Sequence, residues 1–195
     1  MSHHIYHTRG VILSSQPLGE SNRFYKIFTD ELGLVSASAQ SVREGKSKLR
    51  FTLQDYSLVT VDLVRGKEVW RIVSAGADRS LKAIKDDEAR LKLFASYCAL
   101  LSRFLQGEGR DQELFDEIER VADFLEKETI PHELALSFET LATLRVLVHL
   151  GYMDGVGYGK FLGIDAYSVN ILGDFEKIRQ VVLHKINDAL SASHL

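Results

Sequence analysis

The chain has 195 residues, of which 45% are hydrophobic and 26% are charged, and its formal net charge is -3. This composition is typical of a globular protein that holds one large domain or two small ones. No apolar run reaches the roughly 18 residues needed to span a bilayer, and the N-terminus lacks the pattern of a secretory leader. We therefore expect a soluble, cytoplasmic protein.

The chain contains one cysteine, Cys98, and this excludes several kinds of site. A single cysteine can form neither an intrachain disulfide nor a cysteine-built zinc site. Its apolar surroundings, RLKLFASYCALLSRFL, favour a buried thiol over a reactive nucleophile. No grouping of side chains carries a catalytic motif, so we expect no enzymatic activity, no metal site and no cofactor.

Up to about residue 75 the sequence predicts β-strands. Short runs of β-branched and aromatic residues are separated by turn signals at residues 17–19 and 31–33. The predicted strands are HIYHTRGVIL, NRFYKIFT, LVSASAQ, FTLQDYSLVTVDLV and KEVWRIVSAG. A flat sheet of five strands would leave exposed edges, so we expect the strands to close into a small barrel.

From about residue 80 onward the apolar residues recur with the period of helices. Four helices are predicted: from Leu91 to about Leu105, over residues 111–128, from Pro131 to Gly151, and from about Asp174 onward. Asp111 and Asp174 are the predicted N-caps. The glycine-rich stretch GYMDGVGYGKFLG is predicted to be a flexible connection. The sequence thus predicts an α+β protein with a five-stranded barrel at residues 1–78 and an all-α helical domain at residues 79–195.

Positive charge is concentrated in the first part of the chain. Residues 1–80 contain 11 Lys and Arg against 8 Asp and Glu, whereas residues 81–195 contain 13 against 19. One ten-residue stretch, SVREGKSKLR, holds four cations and a single carboxylate: Arg43, Lys46, Lys48, Arg50 and Glu44. It lies between the third and fourth strands, where a five-stranded oligonucleotide-binding (OB) barrel has its long connection. Cations clustered there could bind successive phosphates of a nucleic-acid backbone. The alternative interpretation is a charged loop that is merely solvated.

Two aromatic residues near the basic stretch are candidate stacking platforms for nucleic-acid bases. Tyr56 and Trp70 flank the region in sequence, and base stacking on such rings contributes to the binding of single strands. The alternative is core packing, which the apolar pattern of KEVWRIV favours for Trp70.

Several short motifs follow one another in a fixed order along the chain. They are PLGE, FT followed by LG, a KSKLR-type loop, RGKE followed by W, and later FETLATLRVLVHLGY. In this combination the chain resembles the RecO family of bacterial recombination mediators and DNA repair proteins. The resemblance covers the first domain and the third helix, and it implies an N-terminal OB-fold barrel followed by a helical domain.

The resemblance also implies a function. A protein of this family would bind single- and double-stranded DNA, anneal complementary strands and assist recombinase loading. Its partners would be RecR and the C-terminal tail of the single-strand-binding protein, in the cytoplasm at the nucleoid. The DNA-binding candidates are the cations of the basic loop and, second, those of the last hairpin: Arg43, Lys46, Lys48, Arg50, Arg65 and Lys67. The alternative is a protein-interaction module whose barrel does not bind nucleic acid.

The chain departs from the family pattern in its second half. Many relatives carry a four-cysteine zinc motif after the GY that ends the third helix, whereas no cysteine follows Tyr152 here. Functions that belong to the zinc region are therefore not expected to carry over. Because the helical domain is acidic, it suits partner binding or scaffolding better than DNA binding.

Overall fold

The computed structural model describes residues 4–163 and 167–192. The chain divides into two compact units. The first comprises Met1–Lys82 and Cys98–Asp116, and the second comprises Ala83–Tyr97 and Glu117–Leu195. The predicted domain division after residue 78 follows the change from strands to helices along the sequence, and it stays a prediction.

The first unit contains a closed barrel of five strands. Around the barrel the strands follow the order β1-β2-β3-β5-β4, and β4 pairs with β1 to close it. The strands are β1 (Ile5–Leu18), β2 (Asn22–Thr29), β3 (Gly33–Ala39), β4 (Leu58–Arg65) and β5 (Trp70–Arg79). The predicted α+β fold, with an N-terminal five-stranded OB-fold barrel followed by helices, is confirmed.

The long first strand makes closure possible, because it takes part in two pairings. Its first half pairs with β4 and its second half pairs with β2, and the register shifts between Ile12 and Ser14. Gly10 lies where the two pairings overlap, and a Cβ there would be 2.7 Å from Cγ2 of Ile27. Glycine therefore permits the close approach of β2. The parallel pairing of Ala37 with Trp70 joins β3 to β5.

Apolar side chains from every strand fill the barrel. Tyr25, Val35 and Leu63 are fully buried, and Trp70 is 3% exposed. The burial that the sequence favoured for Trp70 is therefore confirmed. Cys98, in the same unit, is also buried as predicted, and burial raises the pKa of its thiol far above the usual value.

The fourth strand begins later than predicted, at Leu58, because the residues before it form a helical turn. This turn is α1 (Leu49–Thr52). Leu53 is 2% exposed within the barrel core, and Leu49 packs against the same core. Positions four residues apart share one face of a helical turn, so this conformation brings both leucines to the core.

The remaining described elements are helices. They are α2 (Lys82–Asp86), α3 (Glu88–Phe104), α4 (Gln112–Lys127), a 3-10 turn (His132–Leu134), α5 (Ala135–His149), α6 (Gly159–Leu162), α7 (Val169–Glu176) and α8 (Arg179–Ala192). Asp111 is the N-cap of α4 as predicted, since the amide of Leu114 donates to its Oδ1 at 3.0 Å. Among the described helices, none has the length and apolarity needed to cross a membrane.

The predicted N-cap at Asp174 is wrong, because this residue lies inside α7. The true cap is Ser168, whose Oγ accepts a hydrogen bond from the amide of Ile171 at 3.2 Å. Asp174 instead binds the ammonium groups of Lys160 and Lys177 at 2.5 and 2.7 Å. The hydrogen bond from Lys160 is the largest of the contributions that lower the pKa of Asp174 to about 2. The predicted fourth helix is thus two helices, and Lys160 belongs to a short helix within the predicted connection.

A buried ion pair joins three segments of the second unit. Glu117 of α4 accepts hydrogen bonds from Arg145 of α5, and both side chains are less than 10% exposed. Arg145 also donates to the carbonyls of Phe161 and Gly163, at 2.8 and 2.9 Å. Burial raises the pKa of the Glu117 carboxyl, but the hydrogen bonds and charge of Arg145, together with hydrogen bonds from Tyr167 and Arg120, outweigh that effect and lower it below its usual value. The pair fixes the end of the glycine-rich segment to α4 and α5.

The turn before β3 is held by a backbone contact. The amide of Gly109 donates to the carbonyl of Leu32 at 3.0 Å, and Glu108 forms a β-bridge with Gly33. Gly33 has a φ of 70°, and a Cβ there would lie 2.1 Å from the carbonyl oxygen of Gly109. Only glycine satisfies both the left-handed backbone and the close approach.

The buried pair generates the first prediction. Replacing the carboxylate in Glu117→Gln leaves Arg145 without its countercharge, and the free energy of unfolding at pH 7 falls by about 3 kcal/mol. Because the pKa of Glu117 is lowered in the folded protein, its contribution is complete above the usual carboxyl pKa of about 4.3 and is lost as the pH falls through the folded value. Urea unfolding between pH 7 and pH 3 measures both effects. A stability difference between the wild type and Glu117→Gln that did not decrease as the pH falls would contradict the assignment, and the exposed Glu133→Gln is the control.

The second prediction concerns Gly33. Gly33→Ala introduces a left-handed alanine, at a cost of about 1–2 kcal/mol, and adds a steric conflict with Gly109. The matched control is Gly107→Ala, which has a φ of 72° but no atom within 4 Å of the new Cβ. We expect the urea midpoint of Gly33→Ala to lie clearly below that of Gly107→Ala. Equal midpoints would show that the contact with Gly109 adds nothing.

Candidate nucleic-acid interface

The basic stretch lies on the connection between β3 and β4, and apolar residues anchor both ends of it. Val42 and Leu53 are 1% and 2% exposed and belong to the barrel core. The residues between these anchors are mostly exposed. The connection is therefore fixed to the barrel at two points and presents its charged residues to solvent.

Hydrogen bonds also tie this connection to the turn between β1 and β2. The amide of Arg43 donates to the carbonyl of Ser21 at 2.9 Å, and its Nη1 donates to the carbonyl of Gly19 at 2.9 Å. The amide of Ser41, which has a φ of 51°, donates to Oδ1 of Asn22 at 3.0 Å. Arg43 is thereby held in a defined position although its side chain is exposed.

All four cations of the basic stretch are exposed: Arg43, Lys46, Lys48 and Arg50. Within residues 4–163 and 167–192, none of them forms an ion pair with a carboxylate. Cations without a countercharge keep their full positive charge for an external anion. The structure thus places the four predicted loop residues on one anchored connection. Their contact with DNA stays a prediction.

The two second-tier candidates, Arg65 and Lys67, belong to another segment, the end of β4 and the turn between β4 and β5. Nη1 of Arg65 donates to Glu108 Oε2 at 2.9 Å, and its guanidinium lies 5.2 Å from the centre of the Trp70 ring. The other oxygen of Glu108 accepts a hydrogen bond from the Trp70 indole at 2.8 Å. Arg65 therefore already has an acidic partner, whereas Lys67 is exposed.

A cleft beside the basic connection contains two residues that sequence reasoning missed, Arg23 and Tyr25. The cleft has a volume of about 290 Å³, and its lining residues are Arg23, Tyr25, Val42, Arg43, Arg50 and Leu53. The signal in the sequence was strand parity, because Arg23 and Tyr25 share the inward-facing register of β2 with buried Ile27. An arginine at an inward position near a strand end indicates a polar opening of the barrel.

Phe51 is a third residue that sequence reasoning missed. Its side chain is 71% exposed, and the Arg50 guanidinium lies 6.0 Å from the centre of its ring. The two aromatic residues chosen from the sequence are less accessible, since Trp70 is buried and Tyr56 is half-buried with a positive φ of 64°. Burial also raises the pKa of Tyr56. Phe51 is thus the most exposed aromatic ring beside the basic residues.

The described residues offer no metal centre. Across residues 4–163 and 167–192, no group of three or more His, Cys, Asp or Glu side chains is placed to hold a metal ion. The chemistry of the candidate interface is therefore that of guanidinium, ammonium, phenol and an exposed aromatic ring. These groups match phosphate oxygens and base faces.

Comparisons with known proteins point to one family. The family described as Recombination protein O N terminal matches residues 1–77. A DNA repair protein RecO of Rubrobacter xylanophilus is 32% identical over 123 residues, which cover 63% of this chain and 49% of the relative. A DNA repair protein RecO of Clostridium novyi is 28% identical over 149 residues, which cover 76% of this chain and 57% of the relative.

A DNA repair protein RecO of Dehalococcoides mccartyi is 31% identical over 113 residues, or 57% of this chain and 44% of the relative. The chain thus spans about half the length of the curated relatives that it matches. The resemblance inferred from the sequence motifs is confirmed. By its barrel and by these relatives, the chain is similar to the RecO family, and residues 1–77 match the RecO N-terminal domain.

Proposed function

We propose that the protein is a DNA-binding recombination mediator that acts in DNA repair without catalysing a reaction. It binds single- and double-stranded DNA, anneals complementary strands and assists recombinase loading. The observation that carries the proposal is a set of four exposed cations on an anchored connection of an OB barrel, to which the described residues provide no acidic partner. The names of its relatives, DNA repair proteins, support the same role.

Charge neutralisation accounts for annealing. Two DNA strands repel each other through their phosphates, and cations that bind those phosphates reduce the repulsion. Contacts to the backbone carry no sequence information, so a bound strand can still test different registers against its complement. The bases stay available for pairing, and no nucleotide is consumed. The activity requires only cations held by a stable barrel.

The proposed partners other than DNA are RecR and the C-terminal tail of the single-strand-binding protein. We assign the contact with RecR to the second half of the chain, because residues 81–195 carry 19 Asp and Glu against 13 Lys and Arg. Such a surface repels DNA and favours protein contacts. A cytoplasmic place at the nucleoid follows from the proposed substrate.

The third prediction tests DNA binding by the basic connection. If each of the four cations meets one phosphate, they contribute about -2.8 to the slope of log K against log salt for single strands, at about -0.7 per contact. Replacing Arg43, Lys46, Lys48 and Arg50 by Ala should weaken binding at every sequence and flatten the slope by that amount. Fluorescence anisotropy with labelled oligonucleotides at several salt concentrations measures both quantities.

The control for this variant removes the same charge elsewhere. Four exposed lysines of the second unit are replaced by Ala: Lys92, Lys127, Lys177 and Lys185. This control should keep the affinity and slope of the wild type. If the loop variant also keeps them, the connection does not bind DNA. Absence of any length-dependent binding by the wild type would instead favour the protein-interaction module.

The fourth prediction concerns annealing. The wild-type protein should speed the pairing of two complementary oligonucleotides, both free and coated with single-strand-binding protein. The loop variant should lose this acceleration, because it no longer neutralises phosphates on either strand. Quenching of a donor dye on one strand by an acceptor on the other measures the rate. Full acceleration by the loop variant would separate annealing from the basic connection.

A further inference from the structure

The cleft between β2 and the basic connection contains two buried polar atoms without a partner. Nε of Arg23 and the hydroxyl of Tyr25 are both buried, and neither forms a hydrogen bond with any described residue. Both residues line the cleft, and the Tyr25 side chain is 0% exposed. Buried polar groups in folded proteins nearly always have a partner. Two unpaired donors at one cleft therefore point to a ligand with acceptor atoms.

The charges around the cleft indicate that this ligand is an anion. Three of its lining residues are arginines, Arg23, Arg43 and Arg50, and among the described residues no carboxylate lines it. The nearest acidic influence on Tyr25 comes from Asp55, whose Oδ1 accepts a hydrogen bond from Ser15 at 2.6 Å. A guanidinium presents donors in a fork that matches phosphate oxygens. The cleft thus has the chemistry of a phosphate site.

The Tyr25 hydroxyl is suited to donate a hydrogen bond in this site. Burial raises the pKa of the phenol above its usual value, while the charge of Arg23 acts in the opposite direction. The hydroxyl therefore keeps its proton at neutral pH and offers it to a phosphate oxygen. Tyr25 contributes a contact that depends on geometry and carries no charge.

Phe51 adds a second element next to the cleft. It follows Arg50, a lining residue, and its ring is 71% exposed. An exposed aromatic ring beside a phosphate site is a platform for an unpaired base, since every base has a face that can stack. In a duplex the bases are already stacked on one another, so the ring has no base to receive. The ring therefore distinguishes single strands from duplex.

We propose that Arg23 and Tyr25 bind one phosphate of a single-stranded nucleic acid in this cleft, and that Phe51 stacks the neighbouring base. This inference rests on the proposed function and deepens it. It assigns a preference for single strands over duplex to three residues that are not among the six DNA-binding candidates predicted from the sequence. The loop cations attract any polynucleotide by charge, whereas the cleft and the ring select an unpaired strand.

The fifth prediction tests the cleft with changes that keep the charge. Tyr25→Phe removes one hydroxyl and Arg23→Lys keeps the cation but loses the guanidinium fork. Each variant should bind dT20 about tenfold more weakly, the effect of one lost hydrogen bond to a charged group. The salt slope should stay that of the wild type, because no charge is removed. Tyr6→Phe, a half-buried tyrosine of the same barrel outside the cleft, is the control.

The stacking platform is tested with Phe51→Ala. It should weaken binding of dT20 by about fivefold or more and change binding of a 20-base-pair duplex by less than about twofold. Val73→Ala, which truncates an exposed apolar residue of β5, is the control and should change neither. Equal weakening on single strands and duplex would overturn the role of Phe51 in strand selection.

Two further arms identify the phosphate. A dT20 with a 5′-phosphate is compared with its 5′-hydroxyl form, and inorganic phosphate is added as a competitor. A gain from the 5′-phosphate that disappears in Tyr25→Phe assigns the site to a strand end, whereas equal binding of both forms assigns it to a backbone phosphate. Competition by inorganic phosphate that Tyr25→Phe abolishes supports the site in either case.

The outcomes separate this inference from the proposed function. If the wild type binds dT20 but Tyr25→Phe and Arg23→Lys bind it equally well, the cleft is not a phosphate site, and DNA binding by the loop stands. If the wild type does not bind nucleic acid, the proposed function itself fails. Should Tyr25→Phe prove unfolded by its tryptophan emission, Arg23→Lys decides the question.

Discussion

Burial of Val42 and Leu53 in the barrel core is the interaction on which the candidate interface depends. These side chains lie at the two ends of a segment that contains no other fully buried residue, and they anchor both ends of it to the barrel. Burial of such apolar side chains is favourable by about 1.5–3 kcal/mol each. The charged residues between them remain exposed to solvent and are not desolvated when the barrel folds. An unanchored loop of the same composition would present the same charge without a fixed position.

The sequence predicted the structure correctly wherever a local pattern of residues determines the secondary structure. Runs of β-branched and aromatic residues between turn signals predicted all five strands, and the period of the apolar residues predicted α3, α4 and α5. The errors occurred where contacts distant in sequence decide the local conformation. Residues 49–52 form a helical turn in which Leu49, like the following Leu53, contacts the barrel core, and Asp174 pairs with Lys160 rather than capping a helix. No short window of sequence contains either fact.

The same distinction applies to the site. The four loop cations could be selected from the sequence because they are adjacent along the chain. Arg23 and Tyr25 could not, since a strand position shows its surroundings only after the barrel has closed. The exposure of Phe51 could not be predicted from the sequence either, because an aromatic residue at the start of a predicted strand is expected to be buried. Spatial grouping therefore adds Arg23, Tyr25 and Phe51, while the sequence supplies the four loop cations.

Trp70 has a consequence for experiments. It is the only tryptophan of the chain, it is buried in the barrel, and its indole is hydrogen-bonded to Glu108. Its fluorescence is therefore an intrinsic optical reporter of the barrel alone, whereas far-ultraviolet circular dichroism is dominated by helices. Recorded side by side, the two signals would show whether barrel and helices melt together or in separate steps, without any label.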